Sequence, residues 1–171
     1  MRQTTHIAIE HIVVSSKRSY DQVKTTLEAQ MGFLGNTDEL GRQMAGVQTC
    51  WEQIALAIEK RLGTSGFTIF SRVEQGQLLS LAGKPRRVVQ YAVGNPLPAI
   101  QMIEHVLEVA LYAPLRLAVY EGQQGATFVA YDSFSSLLSQ YHRPGIAAVA
   151  QLVEQKLESL VGEATGSEPT S

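Results

Sequence analysis

His105, Glu121 and Arg116 are the residues whose types could carry a reaction. An imidazole titrates near pH 6.5, so His105 can shuttle a proton or ligate a metal or haem. Glu121 offers a carboxylate for general acid-base work, and Arg116 could stabilise an anion beside it. The neighbours of His105 favour a plainer role. Gln101, Glu104 and Glu108 stand at i−4, i−1 and i+3, the pattern of a solvated helix face. A metal site from His105 and Glu108 would need ligands from elsewhere, and His6, His11 and His142 have no matching spacing. No metal is expected, and no cofactor can be named.

A second set suits binding. Gly94-Asn95-Pro96 places an N-capping Asn before a proline at the first helical position, and such a helix start can also receive an anion. Arg116 and Tyr120 are four residues apart in an alternating run, so they share one strand face. Arg116, flanked by Leu115 and Leu117, must meet a carboxylate such as Glu121 or Asp132, reach solvent, or hold a ligand. Tyr91 and Tyr131 lie on adjacent sheet segments, where their phenols could line a pocket with apolar walls and polar tips, or simply pack half-buried. The candidate ligand-binding set is therefore Tyr91, Asn95, Arg116, Tyr120 and Tyr131. Cys50 and Trp51 read as core residues of a helix. No nucleophilic triad, Gly-x-Gly-x-x-Gly run or phosphate-binding glycine loop ending in Lys-Ser or Lys-Thr is present.

Composition bounds the rest. A chain of 171 residues, 44% hydrophobic and 18% charged, suits one domain with one core. A net charge of −2 supplies no field to gather polyanions, so nucleic-acid binding is not expected. Met1–His6 has no apolar run like that of an export signal, and the later apolar segments are too interrupted to span a bilayer. A single cysteine excludes an intrachain disulfide. The expected setting is a reduced cytoplasm, away from membranes.

The elements that must position these residues follow from periodicity. Ile7–Val14 is rich in β-branched residues and predicts a first strand. Ser19-Tyr20-Asp21-Gln22 is a capping box, and Tyr20, Val23, Leu27 and Met31 then recur at helical spacing. Phe33–Gly46 is turn-rich. Val47, Trp51, Ile54, Ile58 and Leu62 mark a second helix ending at Gly63. Phe67–Val73 and Arg87–Val93 predict strands, with a turn at Gln75-Gly76 and a short strand or loop after it. Leu97–Leu111 reads as one long helix whose wide apolar face suits packing on two sides. Leu115–Glu121 and Ala126–Tyr131, joined by Gly122-Gln123-Gln124-Gly125, predict an antiparallel hairpin. A short helix through Phe134 and a last helix from Gly145 to Gly162 follow, and residues 163–171 are expected to be a disordered tail. This order defines α+β with an antiparallel sheet over residues 1–162, helices lying mainly on one face. The other face is then solvated, partnered or ligand-bearing.

Four stretches carry a family likeness: Tyr91–Pro96, Met102–His105, Leu111–Glu121 and Ala130–Ser133, with weaker support from Ser19-Tyr20 and Gly66–Phe70. Together they resemble the domain-of-unknown-function 302 family. The resemblance implies a curved antiparallel sheet carrying helices in a TATA-binding-protein-like arrangement, and a homodimer. It transfers no catalytic constellation. Phe134, where the family commonly has proline, and Val106-Leu107, where many members are polar, depart from it by adding apolar surface. The first functional expectation is a homodimeric domain holding a small, largely apolar molecule between sheet and helix. A small acid-base enzyme using His105 or Glu121, and an interaction module without a ligand, are the alternatives.

Overall fold

The computed structural model describes residues 1–34, 42 and 50–167. Its strands are β1 (His11–Ser16), β2 (Gly32–Phe33), β3 (Thr68–Val73), β4 (Val88–Gly94), β5 (Leu115–Glu121) and β6 (Thr127–Asp132). They form one open sheet in the order β1-β6-β5-β4-β3-β2. All neighbours pair antiparallel except β2 with β3, which is parallel, so the sheet is mixed rather than purely antiparallel. The helices are α1 (Tyr20–Gln30), α2 (Trp51–Glu59), α3 (Gln75–Leu81), α4 (Pro96–Ile103), α5 (Phe134–Leu138) and α6 (Pro144–Thr165). The class is α+β, as the order of elements implies.

Period-two alternation decides which sheet face is buried. Val89, Tyr91 and Val93 of β4, Leu115, Leu117 and Val119 of β5, and Val129 and Tyr131 of β6 all face inward and are buried. Val23 and Leu27 of α1 meet them, with Ile146, Ala150, Val153, Leu157 and Leu160 of α6. The capping box starts α1: the Gln22 amide donates to Ser19 Oγ at 3.3 Å, and the Ser19 amide donates to Gln22 Oε1 at 2.9 Å. Helix α6 passes Gly162, the end expected for it, and stops three residues later at Thr165. Gly166, at φ +69°, is the true terminator, and Arg18 donates to the last carbonyls of Glu163 and Ala164 at 2.7 and 3.1 Å. Residues 163–165 are therefore helical rather than a loose tail.

Three other elements differ from expectation. The segment after Gly76 is the helix α3, hidden from periodicity because Leu78 and Leu81 face solvent. Cys50, the N-cap of α2, and Trp51, its first residue, are exposed rather than core, and Ile58 alone of that helix is buried. Val47, the turn-rich residues 35–41 and 43–46, and the end of the tail lie outside the described residues.

The long helix over Leu97–Leu111 is two pieces: α4 ends at Ile103, Val106 is extended, and a 3₁₀ turn covers Leu107–Leu111. Its cause is topological. Val93 of β4 pairs with Leu115 of β5, so the connection leaves and re-enters the sheet at one end. A 15-residue helix would carry the chain about 22 Å away, and only Tyr112, Ala113 and Pro114 would remain for the return.

Gly32 and Gly63 are dictated by close approach. A Cβ on Gly32 would lie 1.8 Å from the Arg61 carbonyl oxygen, and one on Gly63 would lie 2.1 Å from that of Gln30. Gly145 faces open space. Gly32→Ala and Gly63→Ala should each cost about 1–3 kcal/mol through overpacking, whereas Gly145→Ala should raise stability by up to about 0.5 kcal/mol. Urea-unfolding midpoints of the three variants check this contrast in sign.

Candidate functional site

The first half of the predicted site splits across the sheet. Tyr91 and Tyr131 lie on the inner face, flanking Leu117 in one cross-strand row. Arg116 and Tyr120 share a face as expected, but it is the outer one. There Arg116 is exposed beside Ala92, and Tyr120 stacks on Phe128 at 5.3 Å between centroids. The candidate partners of Arg116 are otherwise engaged: Asp132 meets His11 at 2.7 Å, and Glu121 lies 3.8 Å from Arg87. Two pairs on opposite faces cannot hold one small molecule.

Tyr91 belongs to a polar network that its sequence context does not advertise. Its hydroxyl donates to Glu28 Oε1 at 2.6 Å, and Arg72 meets the same oxygen at 3.1 Å. Arg72 also reaches Glu74 at 3.6 Å, and Glu74 accepts from Lys24 at 2.6 Å. Nearby, the Arg87 guanidinium lies 4.3 Å from the centroid of the Tyr20 ring and pairs with Asp21. These contacts tie α1 to the β3–β4 side of the sheet. Burial first, and the bond to Glu28 second, hold the Tyr91 phenol far above its usual range. Burial likewise pushes Tyr20 and Tyr131 up to about 12, with Glu74 adding to the first and Glu158 to the second.

Asn95 stands where the chain leaves the sheet. Its Oδ1 accepts from the Leu97 amide at 2.9 Å, and its Nδ2 donates to the Gly66 carbonyl at 3.1 Å. Both ends of the amide are thus used in starting α4 and pinning it to the loop before β3. Directly beneath is a cleft of about 310 Å³. Pro96, Pro98, Ala99, Met102 and Ile103 form its α4 wall, and Ala113, Pro114 and Leu115 close the end where β5 begins. Phe70, Phe134 and Val153 supply the rest from β3, α5 and α6. Among the described residues no charged side chain lines it.

Of the predicted site residues, Asn95 alone reaches this cleft. His105 sits on the turn after α4, 61% exposed, with Glu104 at 3.8 Å. Glu121 lies away from the cleft, lining with Arg86 and Arg87 two neighbouring surface depressions of about 330 and 240 Å³. Gln101, Glu104 and Glu108 are exposed, as a solvated stripe requires. Phe70, Phe134 and Val153 escape sequence reasoning because each reads as an ordinary core residue of its own element. The proline spacing Pro96–Pro98 and Pro114 is the one local signal. Among the described residues no group of three His, Cys, Asp or Glu side chains is placed to hold a metal, and no helix is long and apolar enough to cross a membrane.

A one-sided α+β sheet with an apolar cleft at one end is the class of domain these observations define. The family model described as domain of unknown function DUF302 matches residues 46–164, and the chain belongs to that family. The structure is similar to that of an uncharacterized conserved DUF302 protein from Bacillus stearothermophilus, with a TM-score of 0.61 over 91% of this chain and 97% of that one. At 17% identity the likeness speaks for the shared fold. No curated protein matches the sequence.

The buried phenols set an alkaline limit on stability. Their folded pKa values lie above the ordinary value near 10, so the stabilisation they give is fully present below about pH 10 and is lost as pH rises through the folded values. Urea midpoints should hold up to about pH 10 and fall beyond it. Tyr91→Phe should cost about 1.5–3 kcal/mol at neutral pH, the worth of a bond to a charged group, and should shallow the alkaline decline. An unchanged slope in that variant would remove Tyr91 from the explanation.

Proposed function

We propose that this chain is a non-catalytic binding domain whose cleft between α4 and the sheet end takes a small, uncharged, largely apolar molecule. The observation that supports it most is the cleft wall: 310 Å³ of space bounded by proline, alanine, methionine, isoleucine, leucine, valine and phenylalanine side chains. That volume is at the low end of the roughly 300–1,000 Å³ typical of small-molecule sites. A charged group drawn into such a wall would lose its hydration with nothing to replace it. Asn95, the polar side chain on the wall, has both amide ends engaged. Recognition therefore rests on shape and apolar contact, and any charge on the ligand stays at the solvent side, where Ile100 is part-exposed. The catalytic alternative lacks this support, since His105 and Glu121 lie outside the cleft.

Titration with the neutral fluorophore N-phenyl-1-naphthylamine tests the reading, alongside native mass spectrometry of the purified chain for a co-purifying apolar species. One saturable site per chain is expected. Ala99→Trp, which fills the cleft from α4, should weaken binding by about tenfold or more, equivalent to about 1.4 kcal/mol. Tyr120→Ala on the outer face should leave it unchanged. Binding that survives Ala99→Trp, or no saturable binding to the unaltered chain, overturns the proposal.

A further inference from the structure

Pro96 and Pro98 stand two residues apart at the start of α4, and both line the cleft. A proline at the first helical position is an ordinary starter, as Pro144 is in α6. Pro98, at the third position, is not needed for that. Its effect on the cleft is chemical. Four N–H groups normally stay free at a helix start, and together with the helix dipole they make it a place for anions. Here Pro96 and Pro98 carry no N–H, and the Leu97 amide is taken by Asn95 Oδ1 at 2.9 Å. The Ala99 amide already belongs to the helix, donating to the Asn95 carbonyl at 3.4 Å. At most the Asn95 amide is left.

We propose that Pro98, acting with Pro96 and the Asn95 cap, is the specificity-determining residue of the cleft: it refuses carboxylates, sulfonates and phosphates and admits neutral molecules of the same skeleton. The inference rests on the cleft being the binding site, as proposed above. An anion that enters gives up its water, and the N–H groups of a helix start are what would replace it there. Proline removes that replacement. The dipole of α4 remains, but it attracts an anion without supplying hydrogen bonds to it. Among the described residues no Lys, Arg or His lines the cleft to act in its place. Any residue other than proline at this position would return a backbone donor to the same helix turn. A single N–H on the α4 wall therefore separates the two classes of ligand.

Two probes of one ring system test it in the full chain: N-phenyl-1-naphthylamine, which is neutral, and 1-anilinonaphthalene-8-sulfonate, the same skeleton with one negative charge beside the anilino nitrogen. The unaltered chain should bind the neutral probe about tenfold or more tighter at the site that Ala99→Trp blocks. Pro98→Ala returns one N–H to the helix start and should narrow that ratio by about tenfold, the contribution of a hydrogen bond to a charged group. A larger cleft alone would help both probes and leave the ratio unchanged. Asn95→Ala, which releases the Leu97 amide, should narrow it in the same sense, and it decides if circular dichroism shows that the Pro98→Ala chain has lost its fold. Saturable binding of the neutral probe with equal binding of the sulfonate overturns this inference and leaves the cleft as the binding site. So does a ratio unchanged in the folded variants. Without saturable binding of the neutral probe, the binding site and its selectivity fall together.

Discussion

The pairing of β4 with β5 governs the molecule more than any other contact. Because Val93 faces Leu115, the segment between the two strands must return to its starting point. A single helix cannot do that, so α4 stops at Ile103 and the chain turns back through Val106 and a 3₁₀ turn. The break seats Met102 and Val109 in the core and leaves Leu107 and Leu111 outside, 77% and 72% exposed. The cleft is the residue of this compromise. With Pro96 and Pro98 at its start, α4 spans the sheet end beside Pro114, and the ring-bearing backbone on both sides leaves space that Phe70 and Phe134 bound without filling.

On the opposite flank, α1 adds polar contacts to the apolar ones that Val23 and Leu27 make with the core. Glu28, Arg72, Glu74 and Lys24 alternate in sign along the junction between helix and sheet. Exposed pairs of this type contribute little each, about 0–1 kcal/mol. Their effect here is positional. Glu28 accepts the Tyr91 hydroxyl, so the largest fully buried side chain of the core keeps a partner at its polar tip. A buried tyrosine is tolerated where its hydroxyl is satisfied. Tyr91 is thus a packing residue anchored at its tip, which accounts for its place in the sheet without a ligand.

How much of this was legible in the sequence depends on the range of the interaction. Local chemistry was plain: Ser19 and Gln22 spell the capping box, Asn95-Pro96 spells a helix start, and Leu115–Tyr131 spells a hairpin. Elements whose burial is decided elsewhere were not. Leu78 and Leu81 face solvent, so α3 has no apolar periodicity to read, and Val106 breaks a helix for a reason located at Val93 and Leu115. The site followed the same rule. Asn95 was found because its role is local. Tyr91, Arg116, Tyr120 and Tyr131 were grouped by residue type, and strand alternation divides them between two faces. The remaining walls of the cleft come from separate segments, each apolar for an apparently sufficient reason of its own.

Strand order also sets the cleft apart from the β1 edge of the sheet. The cleft occupies the end of the sheet where β4 finishes and β5 begins, roofed by α4, whereas β1 is the outermost strand beyond β6. No residue of β1 stands in the cleft wall. The link between them is the inner core, where Phe134 and Val153 line the cleft and α6 continues to Thr165, whose carbonyl accepts from Ser16 of β1 at 2.7 Å. A 22-residue helix packed along most of its length moves as a unit or not at all. Coupling between cleft and edge would need a shift of α6, and the bonds from Ser16 and Arg18 to its last turn oppose one.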